Sequence, residues 1–247
     1  PEEADLLALQ RLLEQEERHP GLQITVRGER ACMHEVLQAL EAGDLGLEEL
    51  PEDYRDLDPV LWRLPNLGYA TRDAIRADHV RLFPLMAHML EIAQAPTHEH
   101  ALLLVQHTNR AYAGSMGPID LTFPLLHRLE WTFRSNHAHL RCARVALAAE
   151  RYRRAHGAWP PALAGLVPEM LASLPADPFE NAPLHSCRLA DRLVIYSIGL
   201  GGGGKDFDPK KPSLPGVGLA FHLWDVEHRR QLPPPAPQPA IPPGESG

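Results

Sequence analysis

No run of about 18 apolar residues occurs anywhere in the 247 residues, so the sequence holds no candidate transmembrane helix. Cysteine is scarce. Cys32, Cys142 and Cys187 lie far apart, and no Cys-x-x-Cys pair exists. Either one disulfide or three free thiols fits that pattern, and neither fixes a redox compartment. Positive charge is also short. The net charge is -8 and the pI is near 5.9, which argues against a general nucleic-acid binder with a basic surface. Three catalytic signatures are missing: the Gly-x-Ser-x-Gly elbow, the His-Glu-x-x-His zinc pair and a complete phosphate loop. No internal repeat is visible.

What is present is enough for a core. The hydrophobic share of 44% is ordinary for a globular chain, and the length allows one large domain or two small ones. Acid is unevenly spread, with half of the 32 carboxylates between Glu2 and Asp58. An anchor or signal segment upstream of Pro1 is compatible with the sequence.

Residues 2–18 predict an amphipathic helix, with Leu6, Leu7, Leu9, Leu12 and Leu13 on one broad stripe and an acidic first turn that suits the helix dipole. Leu22 to Val26 has strand character. A helix from Arg27 to Ala42 follows, with Gly43 as the cap beyond its end. The acidic stretch Leu45 to Asp58 reads as a loop, and Pro59 opens a helical turn. Thr71 to Gln94 has helical spacing, but Pro84 is expected to kink or split it. Another helix is expected from Pro96 to Tyr112, then a loop over 113–119. A long helix should run from Phe123 to His156, roughly 50 Å at 1.5 Å per residue. After Gly157 come a short helix from Ala162 to Leu166, a turn-rich connector, and a hairpin of Leu184–Leu189 with Leu193–Ile198. Gly218 to Trp224 reads as a third strand. Residues 233–247 hold seven prolines and no apolar pattern, as in a disordered or polyproline-like tail.

The 14 histidines invite a metal reading. His98 and His100, and His137 and His139, are spaced by two, which points each pair to different sides of a helix. His100 and His107 share a face but stand about 10 Å apart along it. Polar surface histidines account for this pattern. A metal-dependent hydrolase would need His100, His107, His137 and His139 to converge through the fold. Ser115 sits in a small-residue loop. Gly201 to Lys205 imitates a phosphate loop, but Asp206 follows the lysine where a hydroxyl and a helix are needed. Arg128, Arg134, Arg141, Arg144, Arg151, Arg153 and Arg154 make the long helix basic. That face is either solvated or set against the acidic N-terminal helices, and an adaptor binding an acidic partner is the alternative. Finally, Ser197, the Gly199 carbonyl, Asp206 and Asp208 are placed to converge on calcium, which takes carboxylate, hydroxyl and carbonyl oxygens from flexible loops.

From Ala148 to Asp208 the motifs come in a set order. Tyr152, Arg153, Gly157 and Pro160 close a helix. Leu163, Leu166 and Pro168 form a turn. Asp177, Pro178 and Phe179 form another, and Tyr196, Ser197 and Gly199 precede a glycine-rich loop. This order resembles the C-terminal globular part of type II secretion major pseudopilins, and a group of planctomycete-type envelope proteins with such an ending. The resemblance covers about a quarter of the chain. It implies a cell-envelope or periplasmic location, protein partners, no catalysis, and calcium in the loop after the second strand. Two departures stand out. His127, Arg128, Glu130, Arg134 and His137 occupy the part of the long helix where pseudopilins have an apolar membrane segment. Gly201 stands where their loop usually has an aspartate.

The expected architecture is mainly α with a C-terminal α+β unit. Residues 1–120 form a helical region. Residues 121–232 form a long helix packed on a small antiparallel sheet, and 233–247 form the tail.

Overall fold

The computed structural model describes residues 2–46, 49, 72–100, 102–104, 106, 122–199 and 219–229. The chain is mainly α-helical, with a small three-stranded antiparallel sheet near its C-terminus. Four long helices are described: α1 (Glu3–Glu17), α2 (Gly21–Ala42), α3 (Arg72–Gln94) and α4 (Thr122–His156). The strands are β1 (His185–Arg188), β2 (Arg192–Ser197) and β3 (Leu219–Trp224), in the order β1-β2-β3. No helix of the described residues is long and apolar enough to cross a membrane. The loop and turn expected at 50–64, the loop at 113–119, most of the loop after β2 and the proline-rich tail lie outside the described residues.

Local chemistry explains three of the helix ends. Asp5 accepts a hydrogen bond from the Glu2 N–H at 2.7 Å, satisfying a donor left over at the start of α1. Gly43 (φ +83°) and Gly157 (φ +75°) take the left-handed conformation that stops α2 and α4. The strand expected at Leu22 to Val26 is instead the first turns of α2. A strand would bury Ile24 on the same side as Leu22 and Val26. Here Leu22 and Val26 are buried while Ile24 is 51% exposed. Leu22 and Val26 belong to the helical series that continues through Met33, Leu37 and Leu40.

Pro84 does not split α3, which runs through it. Proline removes the bond to the carbonyl four residues back, that of Val80, and Val80 is 72% exposed. The loss therefore falls at an exposed position of the helix. After α3, Thr97–Glu99 form a 3-10 turn rather than the start of an α-helix, and helix is described at His100, 102–104 and 106. The short helix expected at Ala162 to Leu166 is a 3-10 turn, Leu163–Leu166.

Two hydrophobic clusters form. The first joins α2 and α3 through Val26, Met33, Leu82, Met86, Met89 and Ile92, with Leu104 buried among them and Leu129 and Phe133 of α4 against it. Gly21 permits close approach here, because a Cβ at that position would stand 2.7 Å from the Phe133 ring. The second surrounds the C-terminal half of α4. Cys142, Val145, Ala148 and Ala149 meet Leu163, Leu166, Met170, Leu193 and Ile195, with Phe221 and Leu223 packed alongside. Leu193 pairs with Leu223, and Ile195 with Phe221, across the β2–β3 register. Alternate residues of the two strands thus share one face toward the helix.

Helix α1 packs along α4 and is held by charge as well as by leucines. Arg141 and Arg144 each donate to Glu17 at 2.6 Å, one to each carboxylate oxygen. Arg151 donates to Glu3 and Gln10, and Gln10 in turn donates to the Met170 carbonyl. Three arginines of the basic helix therefore face acid from the same chain. Glu17 and its two arginines are each less than one-fifth exposed, so the pair is screened less than a surface bridge. Glu17→Gln leaves two guanidinium groups with a single neutral acceptor. It is expected to lower unfolding free energy by roughly 1–3 kcal/mol. Urea unfolding at low and high salt checks this, with the loss shrinking at high salt.

Candidate functional site

The residues singled out for calcium fall into two sets. Asp206 and Asp208 lie outside the described residues. Ser197 and Gly199 close β2 and are buried. The Ser197 hydroxyl donates to Asp177 Oδ1 at 2.9 Å and accepts from the Gly199 N–H at 3.4 Å. Asp177, itself fully buried, also accepts from the N–H of Phe179 at 2.9 Å and of Ile198 at 3.1 Å. One carboxylate thus ties the Asp-Pro-Phe turn to the end of β2. Asp-Pro marks the turn in the sequence. Its partner 20 residues later has no local signal.

Next to this joint, Asp177, Glu180 and His185 bring ligand-type atoms within 4.8 Å of one another. His185 is hydrogen-bonded to Glu180 and stacks on Tyr196, with ring centroids 5.3 Å apart. Both Asp177 oxygens already accept protein donors, so the group serves first as a turn clamp.

A second polar cluster is buried where the turn after α3 meets α4. Glu130 and Arg134 are one helical turn apart, with Arg134 Nη2 donating to Glu130 Oε2 at 3.1 Å. His100 Nε2–H donates to the Ala95 carbonyl at 2.9 Å and directs Nδ1 toward Glu130 Oε1 at 3.7 Å. The Arg134 guanidinium lies 4.8 Å from the centre of the Phe179 ring, so it also touches the Asp-Pro-Phe turn. Arg134 Nε stands 3.0 Å from Glu130 Oε1 as an ion pair without the alignment of a hydrogen bond, and His100 Nδ1 is buried with no hydrogen-bond partner. Burial pushes the Glu130 carboxyl up to about 7, outweighing the opposing pull of Arg134. Burial also lowers His100, against the raising effect of its bond to the Ala95 carbonyl. The cluster is therefore built to hold Glu130 and His100 close to their neutral forms. Sequence reading marked both residues but not their meeting.

The expectation of polar surface histidines fails at His100, which is buried because the fold covers the turn after α3 with α4; the other described histidines do not converge on it as ligands. His137 lies 3.5 Å from the Thr97 hydroxyl, and burial followed by Arg141 lowers its affinity for a proton. His139 bonds the Ser135 carbonyl at 3.0 Å and meets Phe221 edge-on. His107 lies outside the described residues. Among those that are described, His100, His137 and His139 do not form a three-ligand group. Ser115 and Gly201 to Lys205 also lie outside them.

A third arrangement closes the C-terminal end of the sheet. Glu150 on α4 receives Arg153, Arg154 and Arg229. Burial alone would raise its carboxyl, but the hydrogen bonds from Arg153, Arg229 and Arg154 hold it well below the usual carboxylate range. Asp225 accepts from Trp159 Nε1 at 2.6 Å and from Arg188 at 2.8 Å. Beside this network runs an apolar groove of about 540 Å3 between α1, α4 and β3, lined by Leu6, Leu9, Leu13, Leu147, Phe221 and Trp224.

No family model, curated protein or solved structure matches the chain.

The Glu130 cluster has a testable pH signature. The folded chain keeps a proton on Glu130 up to about 7, whereas the unfolded chain releases it near 4.5. Stability from this group is therefore highest at acid pH, falls as pH rises from 4.5 to about 7, and is level above. The fall amounts to about 3 kcal/mol at most. Wild type and Glu130→Gln compared by chemical unfolding across that range should diverge in the variant's favour as pH rises. Parallel curves would remove the buried neutral carboxyl.

Proposed function

We propose that this is a non-enzymatic, envelope-associated protein of pseudopilin-like type, acting through contacts with other proteins. The observation that carries the reading is the joint at Asp177. Two of the pseudopilin-like motifs, the Asp-Pro-Phe turn and the Tyr-Ser-x-Gly segment, meet there. Gly157 ends α4, Leu163 and Leu166 enter the core against α4, and Asp177 of the Asp-Pro-Phe turn bonds Ser197 of the Tyr-Ser-x-Gly segment. In support of this reading, the ordered motifs lie on a long helix and a three-stranded sheet whose β2 and β3 pack on that helix.

Calcium in the loop after β2 belongs to the same proposal. The Ser197 hydroxyl is buried and engaged with Asp177, so a cation there would draw mainly on the Gly199 carbonyl, Asp206 and Asp208. Thermal unfolding with calcium should exceed that with chelator, and Asp206→Ala combined with Asp208→Ala should erase the difference. Equal melting of the wild type in both conditions sinks the calcium site.

The functional reading is tested on the full-length protein in its own cell. Fractionation is expected to place it in the envelope, and formaldehyde cross-linking should join it to subunits of a type II secretion assembly. Recovery from the cytoplasm with no such cross-link would overturn the proposal.

A further inference from the structure

The structure assigns a site for a divalent transition metal to His34 of α2 and His79 of α3, at the rim of the contact between those helices. His34 Nδ1 and His79 Nε2 face each other at 2.6 Å. On the far side of the His79 ring, Nδ1 lies 3.1 Å from Glu41 Oε2. A carboxylate can only accept there, so the His79 proton sits on Nδ1 and the lone pair on Nε2 points at His34. Arg76 sits 3.6 Å from the other Glu41 oxygen and helps fix that carboxylate. A carboxylate on the far nitrogen of a histidine is the arrangement that orients imidazole ligands in metal centres.

The helices place these groups without strain. His34 and Glu41 are seven residues apart, two turns along one face of α2. His79 and Phe83 are four apart on α3. The Phe83 ring lies 5.3 Å from His34 and 6.3 Å from His79, centre to centre, and covers the pair on one side. The His79 side chain is 16% exposed, so the site is sheltered but reachable.

Without metal, the His34 Nδ1–H donates to the His79 lone pair. Moving that proton to His34 Nε2 turns a second lone pair onto the same point. Two imidazole nitrogens on one tetrahedral zinc stand about 3.3 Å apart, so the ion enters when the pair opens by roughly 0.7 Å and each ring turns its lone pair off the line between them. Imidazole selects zinc, nickel, copper or cobalt over calcium and magnesium, which prefer oxygen. No third described side chain completes a three-ligand group with this pair, so water fills the remaining positions. The bound ion would tie α2 to α3 and leave exchangeable positions facing outward.

Zinc chloride titrated into the full chain by calorimetry, with parallel thermal unfolding, tests the site. One equivalent should bind and raise the melting temperature. His34→Ala and His79→Ala should each abolish that event, and Glu41→Gln should weaken it about 10- to 100-fold. His185→Ala should leave it unchanged, which separates it from the Asp177–Glu180–His185 group. Hydrogen exchange on the wild type supplies a measurement independent of the variants: zinc should add protection in α2 and α3, not in the sheet. Binding unaltered by His34→Ala and His79→Ala, protection gained only elsewhere, or no binding at all overturns the assignment. Zinc at imidazole and calcium at oxygen are read separately, so this result stands apart from the calcium test.

Discussion

Helix α4 is 35 residues long, and its buried residues do not keep to one stripe. Glu130, Arg134, Ala138 and Cys142 follow each other at intervals of four, a row that winds slowly around the helix. Then Val145, Ala146, Ala148, Ala149 and Glu150 are all buried within less than two turns. A helix buried on several sides at once needs cover from several directions. The cover is supplied by α2 and α3 along the first half, and by β2, β3, the Leu163–Leu166 turn and α1 along the second. The alanines permit this, because their small side chains let a sheet and a second helix approach closely.

Covering α4 on so many sides also buries its polar groups, and the structure handles each one differently. Arg141, Arg144 and Arg151 are matched by acid or amide groups on α1. Glu150 is neutralised by arginines from its own helix and from the segment after β3. Glu130 is the exception. With Arg134 as its close partner and burial outweighing that pair, its carboxyl favours the protonated form up to about 7. A buried network with unmade bonds is costly, so this part of the fold is tuned to pH in a way the satisfied pairs are not.

The two proposed chemical features occupy different parts of the molecule. The unit of long helix and sheet depends on Asp177 holding the Asp-Pro-Phe turn to β2. The His34–His79 pair lies on helices upstream of that unit and depends on the packing of α2 against α3. Both features join separate elements: one through hydrogen bonds to a buried carboxylate, the other through two imidazoles that face each other between helices.

Local pattern made the helices legible where apolar residues recur at helical spacing over many turns, as in α1 and α2, and where Gly43 and Gly157 supply a stop. The hairpin and third strand were legible from alternation, to within a residue or two. Short windows misled. Leu22 to Val26 has β-forming residues, but the burial of Leu22 and Val26 against the α2–α3 core keeps it helical. Pro84 fits inside α3 where the residue whose carbonyl it abandons, Val80, is largely exposed. The sequence by itself determined the helices, the turn at Asp177-Pro178 and the residue types available for chemistry. Only the tertiary structure decided that Asp177 meets Ser197, that Glu130 meets His100, and that His34 meets His79 from 45 positions away. Those meetings depend on how separate elements bury one another, and burial is shared across the chain rather than written in any one segment of it.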